Sequence, residues 1–160
     1  MAYIGALAVF FAVFMIWREY SAFLSKRLSF CRSYLRALTD YKEKMRCYLT
    51  SPTEWACAYS DDLLEECGFL SALREGEDFS KAYKGTRGAV SLSEEADVII
   101  GQCFGRLGEG YLDTELEIIS AAIEKLGKEE CDAATELPKK KKAVGAVLGA
   151  VAAGIVILII

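Results

Sequence analysis

KKKKAVGAVLGAVAAGIVILII, residues 139–160, sets four consecutive lysines against eighteen residues without a charge. Eighteen helical residues rise about 27 Å and a bilayer's hydrocarbon core is about 30 Å thick, so the uncharged block can span a membrane once. In lipid every backbone N–H and C=O needs a partner within the segment, which makes the block a helix. The other end, MAYIGALAVFFAVFMIW at residues 1–17, is equally free of charge and nearly as long, with Trp17 and Tyr20 placed for a membrane interface. A secretory signal carries its positive charge before the apolar run, whereas Arg18, Lys26 and Arg27 follow it here, so a retained anchor is expected.

The average composition conceals this arrangement. The 160 residues are 53% hydrophobic and 26% charged, with formal net charge −4, but all nineteen Lys/Arg and all twenty-three Asp/Glu fall in 18–142. Cytoplasmic flanks of membrane spans are enriched in Lys and Arg. Arg18 guards one inner flank and Lys139, Lys140, Lys141 and Lys142 the other. Both termini are therefore expected outside the cytoplasm and the charged segment inside. Because the lysine run touches an apolar span, its expected partner is membrane lipid with anionic headgroups rather than nucleic acid. The organisation expected is an N-terminal span at 1–17, a cytoplasmic helical bundle at 18–138, and a basic flank with a C-terminal span at 139–160.

Chemistry is constrained by what is missing. The sequence has no histidine and no CxxC pair among Cys31, Cys47, Cys57, Cys67, Cys103 and Cys131, so no metal or cofactor is expected, and a reducing compartment favours buried thiols. Without histidine there is no Ser-His-Asp or Cys-His arrangement, and neither a GxxxxGK[ST] loop nor a dinucleotide fingerprint occurs. The acidic doublets Asp61-Asp62, Glu65-Glu66, Glu94-Glu95 and Glu129-Glu130 project neighbouring carboxylates about 100° apart on a helix, which suits a solvated face better than an acid/base pair. The chain is not expected to be an enzyme.

Between the spans the pattern is helical throughout, giving an all-α, membrane-anchored bundle with two long antiparallel helices. Leu24, Leu28, Cys31, Leu35, Leu38, Met45 and Leu49 recur in steps of three and four, interrupted at Lys42. Ser51-Pro52-Thr53-Glu54 reads as a capping box with Pro at the first helical position, starting a second helix that carries Trp55, Tyr59, Leu63 and Cys67 to Gly68. FLSALRE reads as a short turn and 76–93 as a short helix, anchored by Phe79, Ala82 and Tyr83, with a mobile loop. Ser91 or Ser93 opens a further helix, stopped at LGEG. The last bundle helix begins near Asp113 and repeats the stepping through Leu112, Leu116, Ile119, Ile123, Leu126, Ala133 and Leu137, with Pro138 expected to separate it from the terminal span. Residues 18–49 hold eight basic and three acidic residues, net +5, and 113–137 eight acidic and two basic, net −6, so charge complements the apolar stripes. The rival use of each stripe, against another molecule in a homo-oligomer, stays open. In the terminal span Gly145, Gly149 and Ala153 form a small-xxx-small series suited to close helix approach.

Two blocks carry a family resemblance, RLSFCRSYLRALTDYKEKMRCYLTSPTEWA at 27–56 and residues 104–160, beginning FGRLGEGYLDTELEIISAAIEKLGKEE. Their Arg/Leu heptad helix with an S-P cap, the Phe104-Gly105 and Leu107-Gly108 step, the final helix and the lysine-flanked span together resemble the stage III sporulation protein AB family of endospore-forming bacteria. Two features depart from that family's pattern: a glutamine expected early in the last helix is absent around Glu115 and Leu116, and Pro138 falls in a stretch usually helical. The resemblance implies a non-catalytic platform or adaptor of a sporulation secretion-like complex in the mother-cell membrane around the forespore. Such a protein is similar to the platform proteins of type II secretion and type IV pilus systems, and would link a cytoplasmic secretion-type ATPase to other sporulation membrane proteins. The candidate partner face is acidic: Asp61, Asp62, Glu65 and Glu66. The alternative function is a two-span regulatory or signalling membrane protein whose cytoplasmic domain binds a ligand or a protein, the ligand at 76–93.

Overall fold

In the computed structural model, helix α1 runs as one element over Ala2–Tyr48, as the absence of Gly and Pro between Gly5 and Pro52 allows. Residues 2–108 and 110–159 are described; Met1 and Ile160, the outer ends of the two expected spans, and Glu109 of the LGEG stop lie outside the described residues. There follow α2 (Pro52–Ala58), α3 (Asp62–Glu66), α4 (Phe69–Arg74), α5 (Phe79–Thr86), a 3-10 turn (Arg87–Ala89), α6 (Glu94–Phe104) and α7 (Leu112–Ile159). Among the described residues the regular structure is helical throughout, and the chain divides into two units, Arg27–Asp132, and Met1–Lys26 with Ala133–Ile160.

In the Arg27–Asp132 unit, α1 buries a broader and more aromatic face than the three-and-four stripe. Leu28, Cys31, Leu38 and Met45 are buried as the stripe requires, but Leu35 is half-buried and Leu49 is exposed. The place that Lys42 interrupts is filled by Tyr41, one residue earlier, and Phe30, Tyr34 and Ala37 join it in the core. An α-helix advances 100° per residue, so over several turns the buried face drifts away from a strict heptad. Tyr34, fully buried, meets Phe69 and Tyr83 edge-on at 5.3 and 5.7 Å between ring centroids. Phe104 stacks on Phe79 and Phe69 at 5.0 and 5.5 Å, and Trp55 lies across Tyr41 at 5.4 Å. Each such ring contributes about 1.5–3 kcal/mol by leaving water.

The capping box is present in full: Ser51 Oγ accepts from Glu54 N–H at 3.3 Å, and Glu54 accepts from Ser51 N–H at 3.0 Å. The single helix expected after it is two. The chain turns extended at Tyr59, and Asp61 starts α3 by accepting from the N–H groups of Leu63 and Leu64 at 3.1 and 3.3 Å. Arg74 holds the break together, donating to the carbonyls of Ala56 and Tyr59 at 2.8 and 3.2 Å and to both oxygens of Glu65. FLSALRE is helix α4 rather than a turn, entered through Gly68 at φ 85°, a left-handed position that glycine takes without steric cost. In 76–93 the expected short helix is α5, capped by Asp78 and buried at Phe79, Ala82 and Tyr83. Ser93, not Ser91, caps α6 through Ala96 N–H at 3.2 Å.

Pro138 does not divide α7, which is helical on both sides of it. Proline removes one rung of the hydrogen-bond ladder, and the Glu136–Lys140 ion pair, 2.6 Å across one turn, spans that position. On the Arg27–Asp132 side, the neighbours of α1 along α7 move from Glu130, 2.6 Å from Arg32, to Glu115 beside Tyr41.

In the other unit, Trp17 packs onto Gly145. A Cβ at Gly145 would lie 3.1 Å from the indole nitrogen, so any side chain there would require the ring to give way by a few tenths of an ångström or more. The same nitrogen donates to the Lys141 carbonyl at 3.4 Å, and Lys141 Nζ donates to Ser25 Oγ at 2.8 Å. Ala152 is fully buried, whereas Phe10, Phe11 and Phe14 are 53%, 65% and 55% exposed. Among the described residues one helical segment, Leu7–Tyr48, is long and apolar enough to cross a membrane. Its most apolar eighteen-residue window has mean hydropathy 1.6 and no buried residue.

Candidate functional site

The acidic face expected on α3 splits into structural and exposed carboxylates. Asp61 is consumed: besides capping α3, it pairs with Arg36 of α1 at 3.0 Å. Glu65 is held by Arg74 at 2.9 and 2.5 Å. Asp62 and Glu66 are exposed, one turn apart on α3. The other doublets differ again. Glu94 and Glu95 are both exposed in the first turn of α6, while Glu129 accepts from Ser93 Oγ at 2.8 Å and Glu130 pairs with Arg32 at 2.6 Å. Adjacent acids do diverge, so a doublet in sequence becomes one internal and one external group on α3.

Ser51, Pro52 and Glu54 form a local device that starts α2, and the Glu54 carboxyl is held below its ordinary range by the Ser51 backbone N–H and hydroxyl. Arg18, Lys139, Lys140 and Lys142 are exposed, and Lys141 is partly turned inward to Ser25. Of the small-residue series, Gly145 makes the close approach to Trp17, but Gly149 has open space and Ala153 is exposed. The inward seam steps instead through Gly145, Leu148 and Ala152.

Around the 76–93 segment Tyr83, Arg87 and Asp97 close upon one another. Asp97 accepts from Tyr83 Oη at 2.6 Å and from Arg87 Nε at 2.9 Å, with Arg87 Nη2 on its second oxygen. Burial raises the Asp97 carboxyl's pKa, yet the bonds from Arg87 and Tyr83 outweigh it and leave the group below its ordinary value. Burial, reinforced by Asp97, pushes the Tyr83 phenol upward. The groove beside them is about 260 Å³, small against the 300–1,000 Å³ of most ligand sites. A second groove of about 360 Å³ runs along the other side of α6, between it and α7.

Cys31 and Cys103 are buried and Cys67 half-buried, but Cys47, Cys57 and Cys131 are exposed, so the expectation of buried thiols holds for part of the set only. The exposed three lie on α1, α2 and α7. Burial pushes the thiols of Cys31 and Cys103 up to about 12. Among the described residues no three His, Cys, Asp or Glu side chains gather as a metal site. Tyr34, absent from the three-and-four stripe, has a fully buried hydroxyl beside Thr86 and Cys67 but with no hydrogen-bond partner of good geometry among the described residues.

The sequence model of the family described as stage III sporulation protein AB matches residues 2–160. No curated protein matches the chain. A solved structure titled "Stage III sporulation protein AB (SpoIIIAB)" is similar in fold, with TM-score 0.56 and 18% identity over 70% of this chain and 96% of that one.

Proposed function

This chain belongs to the stage III sporulation protein AB family, and from that membership we propose that it is a non-catalytic membrane platform of a sporulation secretion-like complex. One transmembrane helix at each end, 1–17 and 143–160, would hold the bundle at 18–138 on the cytoplasmic side, in the mother-cell membrane around the forespore. The two long helices run antiparallel, and Arg18 with Lys139, Lys140, Lys141 and Lys142 keep both inner flanks in the cytoplasm.

The observation that carries this reading is in α1. Within one helix, Phe10, Phe11 and Phe14 are more than half exposed while Phe30, Tyr34 and Leu38 are buried. Three exposed phenylalanines within two turns are costly in water and favourable in lipid. A platform also needs outward surface for partners, and Asp62 and Glu66 supply an exposed acidic pair for a cytoplasmic secretion-type ATPase. Charge there would steer the encounter more than tighten it. The ligand-binding alternative is less well supported, because Tyr83, Arg87 and Asp97 already satisfy one another and the groove beside them is only about 260 Å³.

Two experiments test the proposal. Topology reporters fused before residue 1 and after residue 160 should be active only outside the cytoplasm; a cytoplasmic signal from either refutes the hairpin. Full-length protein in nanodiscs should capture a purified secretion-type ATPase from the same organism, and Asp62→Lys with Glu66→Lys should weaken capture about tenfold. Undiminished capture removes the acidic pair from the argument. Reversals at Asp61 or Glu65 are unsuitable, since both hold the fold.

A further inference from the structure

Residues 50–137 carry twenty acidic and seven basic side chains, net −13, yet four of those seven cations line the two grooves beside α6. Along α7 the groove has an apolar floor that includes Ile99, Ile118 and Ala122, with Arg106 and Lys125 in its lining. Along α5 it is lined by Lys84 and Arg87. The carboxylate lining either groove, Asp97, is already occupied by Tyr83 and Arg87. Among the described residues Lys84, Arg106 and Lys125 make no ion pair. Between the grooves α6 presents Val98, 47% exposed, and Gln102, which lines both.

We propose that this face of α6 docks an acidic amphipathic helix of a partner protein. An apolar floor flanked by unpaired cations is the complement of a helix with leucine-like residues at i, i+4 and carboxylates beside them. Charge supplies orientation. Glu94 and Glu95, the exposed acids of α6, lie in its first turn, about 14–15 Å at 1.5 Å per residue from its Phe104 end, beyond which Arg106 follows. The partner's carboxylates therefore gather toward the Arg106 end. The repulsion expected between a net −13 segment and an acidic partner is locally reversed on this face, which makes it a discriminating surface rather than a generally attractive one. It is also a different surface from the Asp62 and Glu66 pair, which would attract a basic partner, so either docking reading can fail without the other.

The test uses the full chain in phosphatidylcholine nanodiscs and a fluorescein-labelled eighteen-residue synthetic helix with Leu on one face and Glu on the other, followed by anisotropy. The peptide should bind, a Lys-for-Glu version should not, and a version with its leucines scrambled should bind at least fivefold more weakly. Arg106→Glu with Lys125→Glu should lower affinity tenfold or more, and the milder Arg106→Gln with Lys125→Gln about threefold. Lys81→Glu with Lys128→Glu changes net charge equally outside both grooves and should leave binding within twofold. Absence of binding by the wild type, or equal loss in the two Glu double variants, overturns the proposal. So does a chain whose self-association, rather than peptide binding, is lost in the Arg106/Lys125 variant, since the occupant is then a second copy. Loss of binding to phosphatidylglycerol vesicles with peptide binding intact assigns the face to lipid and equally overturns it.

Discussion

Replacing Phe104 by alanine removes a ring that is 2% exposed and faces four others: Phe79 and Phe69 stacked at 5.0 and 5.5 Å, Tyr83 edge-on at 5.6 Å, and Tyr34 tilted at 6.2 Å. A buried Phe→Ala change costs about 3–5 kcal/mol from lost transfer energy and the cavity left behind. Aromatic pairs add about 0.5–1.5 kcal/mol each beyond burial, so four of them place this site near 5 kcal/mol, at the upper end of that range. A domain of this size has about 5–15 kcal/mol in all. Phe104→Leu keeps much of the volume but none of the ring pairs and should lose about 2 kcal/mol. The assay is guanidinium denaturation of the full chain in detergent, followed by far-ultraviolet circular dichroism. With a slope of about 4 kcal/mol per molar, alanine should lower the midpoint by about 1.2 M and leucine by about 0.5 M. An alanine variant within 0.2 M of wild type would refute the view that these rings form the centre of the Arg27–Asp132 unit.

Three further outcomes are expected. Gly145→Leu should dislodge the Trp17 indole and break its bond to the Lys141 carbonyl, shifting the Trp17 resonance in fluorine NMR of 5-fluorotryptophan-labelled protein while Trp55 stays put; an unmoved Trp17 signal contradicts the packing. Tyr34→Phe deletes a buried hydroxyl with no well-formed hydrogen bond among the described residues and should be neutral or stabilising by about 1 kcal/mol, so a loss above 1 kcal/mol would assign Tyr34 Oη a bond to neighbouring Thr86 or Cys67. Cys31 and Cys103 should make stability fall in alkali. Burial raises their folded values from 9.0 to about 12, so the unfolded chain sheds these protons first. The contribution is intact below about pH 9 and lost as pH rises toward 12; denaturation midpoints that do not decline between those values would contradict it.

Local signals in the chain were readable and long-range ones much less so. Ser51, Pro52 and Glu54 satisfy one another within four residues, and so the box could be written down before any fold was known. The break between α2 and α3 leaves no mark in the apolar periodicity, because Trp55, Tyr59, Leu63 and Cys67 keep helical phase across it. The cue was Ser60-Asp61-Asp62, a cap cluster that the apolar periodicity overrode. Tyr34 and Tyr41 were missed for a related reason: a heptad template weighs leucine, whereas the core here selects rings that reach toward α4, α5 and α6 from a face rotated off the stripe. Asp61 and Glu65 could not be told from Asp62 and Glu66 in the sequence, because Asp61 and Glu65 are drawn in by Arg36 and Arg74, which the fold brings from elsewhere in the chain. The basic lining of the α6 grooves was hidden by the acidity of the segment as a whole.

The fit of Trp17 against Gly145 makes two distant positions a single steric unit. Bulk added at one must be surrendered at the other, so relatives with a branched residue at the position equivalent to 145 should carry something narrower than tryptophan at the position equivalent to 17. An exchange of size between those two alignment columns would record this contact in the family's history without any structure being consulted.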